Sequence, residues 1–208
     1  VIAQGLVSLP GVFAISLAYL LLSAIATMWL ATYTTPWVWL PWGLASLCAP
    51  LYSWGKFHYG CELVLGLGFG PFAVMMGAAV GPGPEMAHAF LAGIPFAIVF
   101  GYMAETVDQY WDADVNVPKG LRNLGALCWR KGWILWLVLS VMSVTTGAVH
   151  AILAWYEVLS PISLVALLAL PGLVALAPAF ERKQTSAIMV GLGLVLFYPL
   201  VILVAEAV

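Results

Sequence analysis

Ser186-Ala-Ile-Met-Val-Gly-Leu-Gly-Leu-Val-Leu-Phe-Tyr-Pro-Leu-Val-Ile-Leu-Val-Ala205 is a run without a single charge, bounded by Lys183 and Glu206. As a helix rising about 1.5 Å per residue it reaches roughly 30 Å, the thickness of a bilayer's hydrocarbon core. Working outward from it, six more apolar stretches of comparable length appear: 161–180, 133–156, 86–104, 61–80, 37–53 and 11–31. The whole chain agrees, with 64% hydrophobic and 8% charged residues among 208. Soluble proteins carry roughly 25% charged residues, and so few cannot clothe a water-facing surface. A soluble enzyme, a disordered chain and a nucleic-acid binder are thereby excluded, the last because a phosphate-binding face needs a dense basic patch. The expected fold class is an all-α polytopic membrane protein with seven transmembrane helices in a single domain, 1–208.

The charges give that bundle an orientation. Lys56 follows the second stretch; Lys119, Arg122, Arg130 and Lys131 follow the fourth; Arg182 and Lys183 follow the sixth. The alternate connections contain only Glu85 and Glu157, and Glu206 closes the last stretch. Under the positive-inside rule the three basic loops and the N-terminal side are cytoplasmic, in an integral membrane protein surrounded by lipid. Trp37, Trp39, Trp42, Trp129, Trp133, Trp136 and Trp155 sit near the ends of the stretches, as an interfacial aromatic belt does.

The longest polar stretch, Glu105-Thr-Val-Asp-Gln-Tyr-Trp-Asp-Ala-Asp-Val-Asn-Val-Pro-Lys-Gly-Leu-Arg-Asn-Leu124, lies on the basic side. If a helix continues to Asp112, Glu105, Asp108 and Asp112 share one face, because positions three and four apart are neighbours. Like charges at a membrane edge call for a positive counterpart. Mg²⁺ fits, since it takes one or two carboxylates and completes its shell with water and phosphate oxygens, and a solvated cytoplasmic loop with charges of both signs is the other reading of the stretch. Lys119 and Arg122 would then hold the phosphate directly. Tyr52 and Lys56 end the second stretch on the same side and offer a phenol and an ammonium to a lipid diphosphate, or else a snorkelling lysine and a belt tyrosine.

Other motifs are set aside. Asp112-x-Asp114-x-Asn116 starts like a calcium loop, but Val117 stands where glycine is needed and Asn123 where glutamate is. Gly66, Gly68 and Gly70 lie inside a span with no strand before them, which indicates close helix packing rather than dinucleotide binding. His150, with Ser143, Thr145 and Thr146, reads as interhelical hydrogen bonding. Cys48, Cys61 and Cys128 have neither disulfide nor zinc spacing and read as small buried side chains.

The polar residues resemble the UbiA superfamily of intramembrane prenyltransferases. Glu105-x-x-Asp108-x-x-x-Asp112 followed by Gly120-Leu-Arg-Asn-Leu is similar to that family's second aspartate-rich motif and its G-x-R-T-L tail. Tyr52-x-x-x-Lys56 resembles its Tyr/Lys pair. Leu67-Gly-Phe-Gly-Pro-Phe-Ala-Val is similar to a span of the branch that prenylates 1,4-dihydroxy-2-naphthoate for menaquinone. Ile2-Ala-Gln-Gly-Leu-Val-Ser resembles the segment that follows the family's first aspartate motif. The resemblance thus runs from the family's third helix to its ninth.

It implies a UbiA-like helical bundle, seven helices present of an expected nine, that uses Mg²⁺ to transfer a polyprenyl group from a prenyl diphosphate to an aromatic quinone precursor. Asp108 and Asp112 would act at the metal with Glu105 beside them, and Tyr52, Lys56, Lys119 and Arg122 would bind diphosphate. The sequence departs from the pattern in three places. Ala104 stands where the family often has Asn, and the G-x-R tail is set back so that Asn116 occupies an expected aspartate position. The first aspartate motif, with two helices, is expected before Val1. Two other readings stay open: chlorophyll-synthase-type prenylation of a chlorin, or a non-catalytic scaffold partnered by other membrane subunits.

Overall fold

The computed structural model describes residues 9–81, 85–132 and 134–207. The segment Ile2–Ser8 and Trp133 therefore lie outside the described residues. The architecture is all-helical, with no strand among the described residues. In chain order the helices are α1 (Leu9–Tyr33), α2 (Trp39–Gly55), α3 (Cys61–Leu67), α4 (Ala73–Ala79), α5 (Met86–Ala92), α6 (Ile94–Ala97), α7 (Glu105–Trp111), α8 (Ala113–Asn116), α9 (Leu124–Arg130), α10 (Ile134–Trp155), α11 (Ala169–Ala175), α12 (Ala177–Glu181) and α13 (Thr185–Ala207).

Four continuous helices are long and apolar enough to cross a membrane: Pro10–Tyr33, Cys61–Ala79, Ile134–Trp155 and Thr185–Glu206. The pair Met86–Ala92 and Ile94–Trp111, bent by 41°, makes a fifth. The structure thus supports an all-α membrane protein with four to five spans rather than the expected seven. The other two stretches differ for physical reasons. Residues 161–180 fold as a 3-10 helix (Pro161–Leu168), α11 and α12, with Pro171 and Pro178 each removing a backbone donor. Around 37–53 a 3-10 turn (Pro36–Val38) begins the segment, and α2 is left with 17 residues including Pro41 and Pro50.

Two spans carry π-helical turns, Gly68–Phe72 between α3 and α4 and Ile98–Ala104 between α6 and α7. Such turns are rare and frequently mark functional sites. Glycine explains how closely these spans meet. A Cβ on Gly66 would lie 2.5 Å from the Ala97 carbonyl oxygen, and one on Gly70 2.5 Å from that of Gly93. The expected close packing is real at Gly66 and Gly70, whereas a Cβ on Gly68 would meet only the Cys48 side chain at 3.6 Å.

The core gathers Met103, Leu135, Leu139, Phe180 and Tyr198. Within it His150 is fully enclosed, its Nδ1 2.7 Å from the Tyr198 hydroxyl and its Nε2 2.7 Å from Ser163 Oγ. Ser163 Oγ donates to the Ser160 carbonyl, so it accepts from Nε2–H, and Nδ1 accepts from Tyr198. This locks α10, α13 and the Pro161–Leu168 helix together through neutral partners, as the interhelical reading of His150 expects.

Long-range ties join the loops into two ends. At one, the Lys56 carbonyl accepts from the Arg122 amide (2.7 Å), the Arg122 carbonyl accepts from the Tyr59 amide (2.9 Å), and Lys183 Nζ pairs with Asp114 at 3.0 Å. At the other, His88 Nε2 donates to the Val158 carbonyl (3.0 Å) and Glu206 accepts from the Ser160 amide (2.6 Å).

Candidate active site

The end that holds Lys56, Asp114 and Arg122 is built around α7. The first turn of α7 presents Glu105 and Asp108, and the helix closes at Asp112, whose amide donates to the Asp108 carbonyl (3.2 Å). Asp108 and Asp112 are exposed, while Glu105 is buried. Helical register therefore does what the spacing predicts for the two aspartates, but Glu105 turns inward. Tyr52 Oη–H donates to Glu105 Oε1 at 2.6 Å, and Gln109 Nε2 donates to the same oxygen at 2.9 Å.

That contact starts a chain of buried polar side chains. Asn123 Nδ2 donates to Gln109 Oε1 (2.9 Å), and Asn123 Oδ1 caps α9 by accepting from the Ala126 amide (2.7 Å). Glu62, also buried, accepts from the Leu124 amide beside it. The tail Gly120–Leu124 is thereby pinned to α7 and α3 from both sides. Gly120 makes the turn into it at φ +81°, a left-handed conformation that glycine adopts without steric cost. Lys56 Nζ lies 4.6 Å from the centre of the Tyr52 ring and within electrostatic range of Glu105 and Asp108.

Five of the expected residues are thus brought into one assembly: Tyr52, Lys56, Glu105, Asp108 and, through its backbone, Arg122. Asp112 joins at its edge. Lys119 ends an exposed 3-10 turn, and Asn116 serves the adjoining loop through its carbonyl, which accepts from Leu121. Neither side chain is tied to the assembly. Gln109, Asn123 and Glu62 were not singled out by sequence. The only signal for Asn123 is its type, since Asn before an apolar run is a good helix N-cap.

Asn123 carries a measurable consequence. Asn123→Ala should lower stability by about 2–4 kcal/mol, from a lost cap and a buried Gln109 oxygen left unpaired. Asn123→Asp keeps the cap oxygen but buries a carboxylate against Gln109 Oε1, and should cost at least as much. Thermal unfolding in detergent reads both.

Glu105 and Asp108 stand at the wall of a cavity of about 380 Å³ that is otherwise apolar, lined by Leu65, Met103, Leu139 and Phe180 among others. A polar rim over an apolar chamber suits a ligand with a charged head and a hydrocarbon tail. Among the described residues no group of three or more His, Cys, Asp or Glu side chains is placed to hold a metal ion. Since Glu105 is engaged by Tyr52 and Gln109, the carboxylates left facing outward are Asp108 and Asp112. Two carboxylates are what Mg²⁺ takes when phosphate supplies the rest, so this donor set fits half of such a site.

The sequence matches no protein family, no curated protein and no solved structure.

Two neighbouring groups complete its electrostatics. The ion pair with Lys183 holds the Asp114 carboxyl below the usual carboxylate range, on an exposed loop. Burial pushes the Cys128 thiol up to about 12, so it stays protonated and packs as an apolar group. All three cysteines are free.

Proposed function

We propose that the protein is an intramembrane prenyltransferase of the UbiA type, joining a polyprenyl group from a prenyl diphosphate to an aromatic quinone precursor. What carries the reading is that Glu105 and Asp108 stand at the wall of one apolar cavity, with Tyr52 bonded to Glu105 and Lys56 over the Tyr52 ring. In this reading the bundle has the family's all-helical fold, and its basic end faces the cytoplasm.

The chemistry follows from the charges. The C–O bond of an allylic diphosphate breaks with its electron pair leaving on the diphosphate; an electron-rich ring carbon forms the new bond and gives up a proton. Mg²⁺, held by Asp108 and Asp112, would supply positive charge to the diphosphate. Lys56 and Arg122 bind the same oxygens, placed together by the main-chain bond between them. Glu105 fixes the Tyr52 phenol, and Tyr52 in turn lies under the Lys56 ammonium. The apolar cavity takes the tail and keeps water from the allylic carbon.

A second reading, a non-catalytic scaffold within a larger membrane complex, is favoured by one observation: no three-ligand group for a metal exists among the described residues. One experiment separates the two. The purified chain in nanodiscs receives farnesyl diphosphate, Mg²⁺ and 1,4-dihydroxy-2-naphthoate, with a chlorin as parallel acceptor, and mass spectrometry follows the prenylated product. Product that disappears with a chelator establishes the enzyme and its acceptor. No product with either acceptor, together with undisturbed assembly of Asp112→Ala, establishes the scaffold.

A further inference from the structure

Two cavities lie end to end in this bundle. Beyond the chamber beside Asp108 is a second of about 830 Å³, which reaches Glu85, His88 and Glu206 at the opposite end. The same three spans line both in succession. Cys61–Ala79 contributes Leu65 to the first cavity and Ala78 to the second, Ile94–Trp111 with α5 contributes Met103 and then Ala92, and α13 contributes Ile188 and then Leu203. Among the described residues only two side chains belong to both cavities, Phe69 and Phe100. Their rings stack with centroids 6.0 Å apart and planes 25° from parallel. Each ring sits on one of the two π-helical turns, so both irregular turns of the bundle present an aromatic side chain to the same junction.

The geometry points to the Phe69–Phe100 pair as the partition that sets how long an apolar tail the protein accepts. This rests on the prenyl diphosphate reading above. In that reading the head sits at the first end: neither lining contains a lysine or arginine among the described residues, but Lys56 lies within electrostatic range of Glu105 and Asp108 there, whereas the second lining offers Glu85, Glu206 and His88. A short tail fills the first chamber and stops at the stacked rings. A longer tail must displace a ring to enter the second, which adds on the order of 10–14 Å of depth at 1.5 Å per helical residue (Phe69 to Ala78, or Pro199 to Glu206). Displacement is sterically feasible because the Phe69 ring is 60% exposed rather than locked in the core.

The test is a tail-length series on the full chain in nanodiscs. Geranyl, farnesyl, geranylgeranyl and a long polyprenyl diphosphate are titrated against wild type, Phe69→Ala, Phe100→Ala and Phe69→Trp, with Mg²⁺ present and thermal stabilisation as the readout. The alanine variants should bind the longest tail roughly tenfold or more tightly than wild type does, because more of it is buried, and geranyl about equally. Phe69→Trp should move the limit toward shorter tails. Phe69 is exposed, so its variants keep the fold; size exclusion checks this. If all variants keep the wild-type order of tail lengths, the partition is overturned while the prenyl diphosphate reading stands. If no prenyl diphosphate stabilises wild type, both fall.

Discussion

Asp108→Ala and Asp112→Ala should each reduce prenyl transfer by about 10²–10³-fold without unfolding the protein. The magnitude is that of removing one preorganised group that stabilises charge developing in a transition state. Both side chains are exposed at the end of α7, so their loss opens no cavity and orphans no buried partner. The informative control lies two residues on. Asp114 is also an exposed aspartate, but it is paired with Lys183. Asp114→Asn should leave transfer within about twofold, since an exposed ion pair contributes little. Steady-state diphosphate release measures all three. Equal losses at Asp108, Asp112 and Asp114 would mean that general negative charge matters rather than the α7 face, and the assigned site would be wrong.

Gly101→Ala is the largest overpacking effect expected. A Cβ there would collide with the Glu62 carbonyl oxygen and lie 2.6 Å from Gly66 Cα and 2.7 Å from Gly66 N. These obstacles are main chain on a neighbouring span, so no side chain can rotate away. Overpacking commonly costs 1–3 kcal/mol, and backbone against backbone belongs at the upper end, about 3 kcal/mol. Against this, alanine gains roughly 0.5–1 kcal/mol over glycine in a helix interior. Gly147→Ala isolates that gain, because a Cβ at Gly147 in α10 meets nothing within 4 Å. Unfolding in detergent should therefore move in opposite directions for the two variants. Gly101→Ala should also weaken ligand binding, because the turn that it distorts leads directly into Glu105.

Much of the candidate site is legible in sequence because register is a local property. Asp108 and Asp112 share a helix end for the reason their spacing gives, and Tyr52 and Lys56 lie one turn apart at the end of α2. The inward turn of Glu105 is not local. It depends on Tyr52 from another span and on Gln109, which itself needs Asn123 from beyond the loop. No periodicity announces such a partner. Seven spans exceed the four to five observed because hydropathy adds up composition and ignores continuity: 161–180 is apolar throughout, yet its helix stops at Ala175, too short to span, and α12 starts afresh with Pro178 in its first turn. The π turns were equally invisible. Each packs against main chain from a distant part of the sequence, Gly70 and Pro71 against Gly93 and Gly101 against Gly66.

α1 has the bilayer itself as its main environment. Only 6% of its most apolar window is buried, against 28–33% for the other continuous spans. Its 24 residues reach about 36 Å, longer than a hydrocarbon core of roughly 30 Å. Such excess length is relieved by tilting, at a fraction of a kcal/mol per Å. The inclination of α1 should accordingly track membrane thickness, steep in thin bilayers and upright in thick ones, while the spans around the cavities hold their angles.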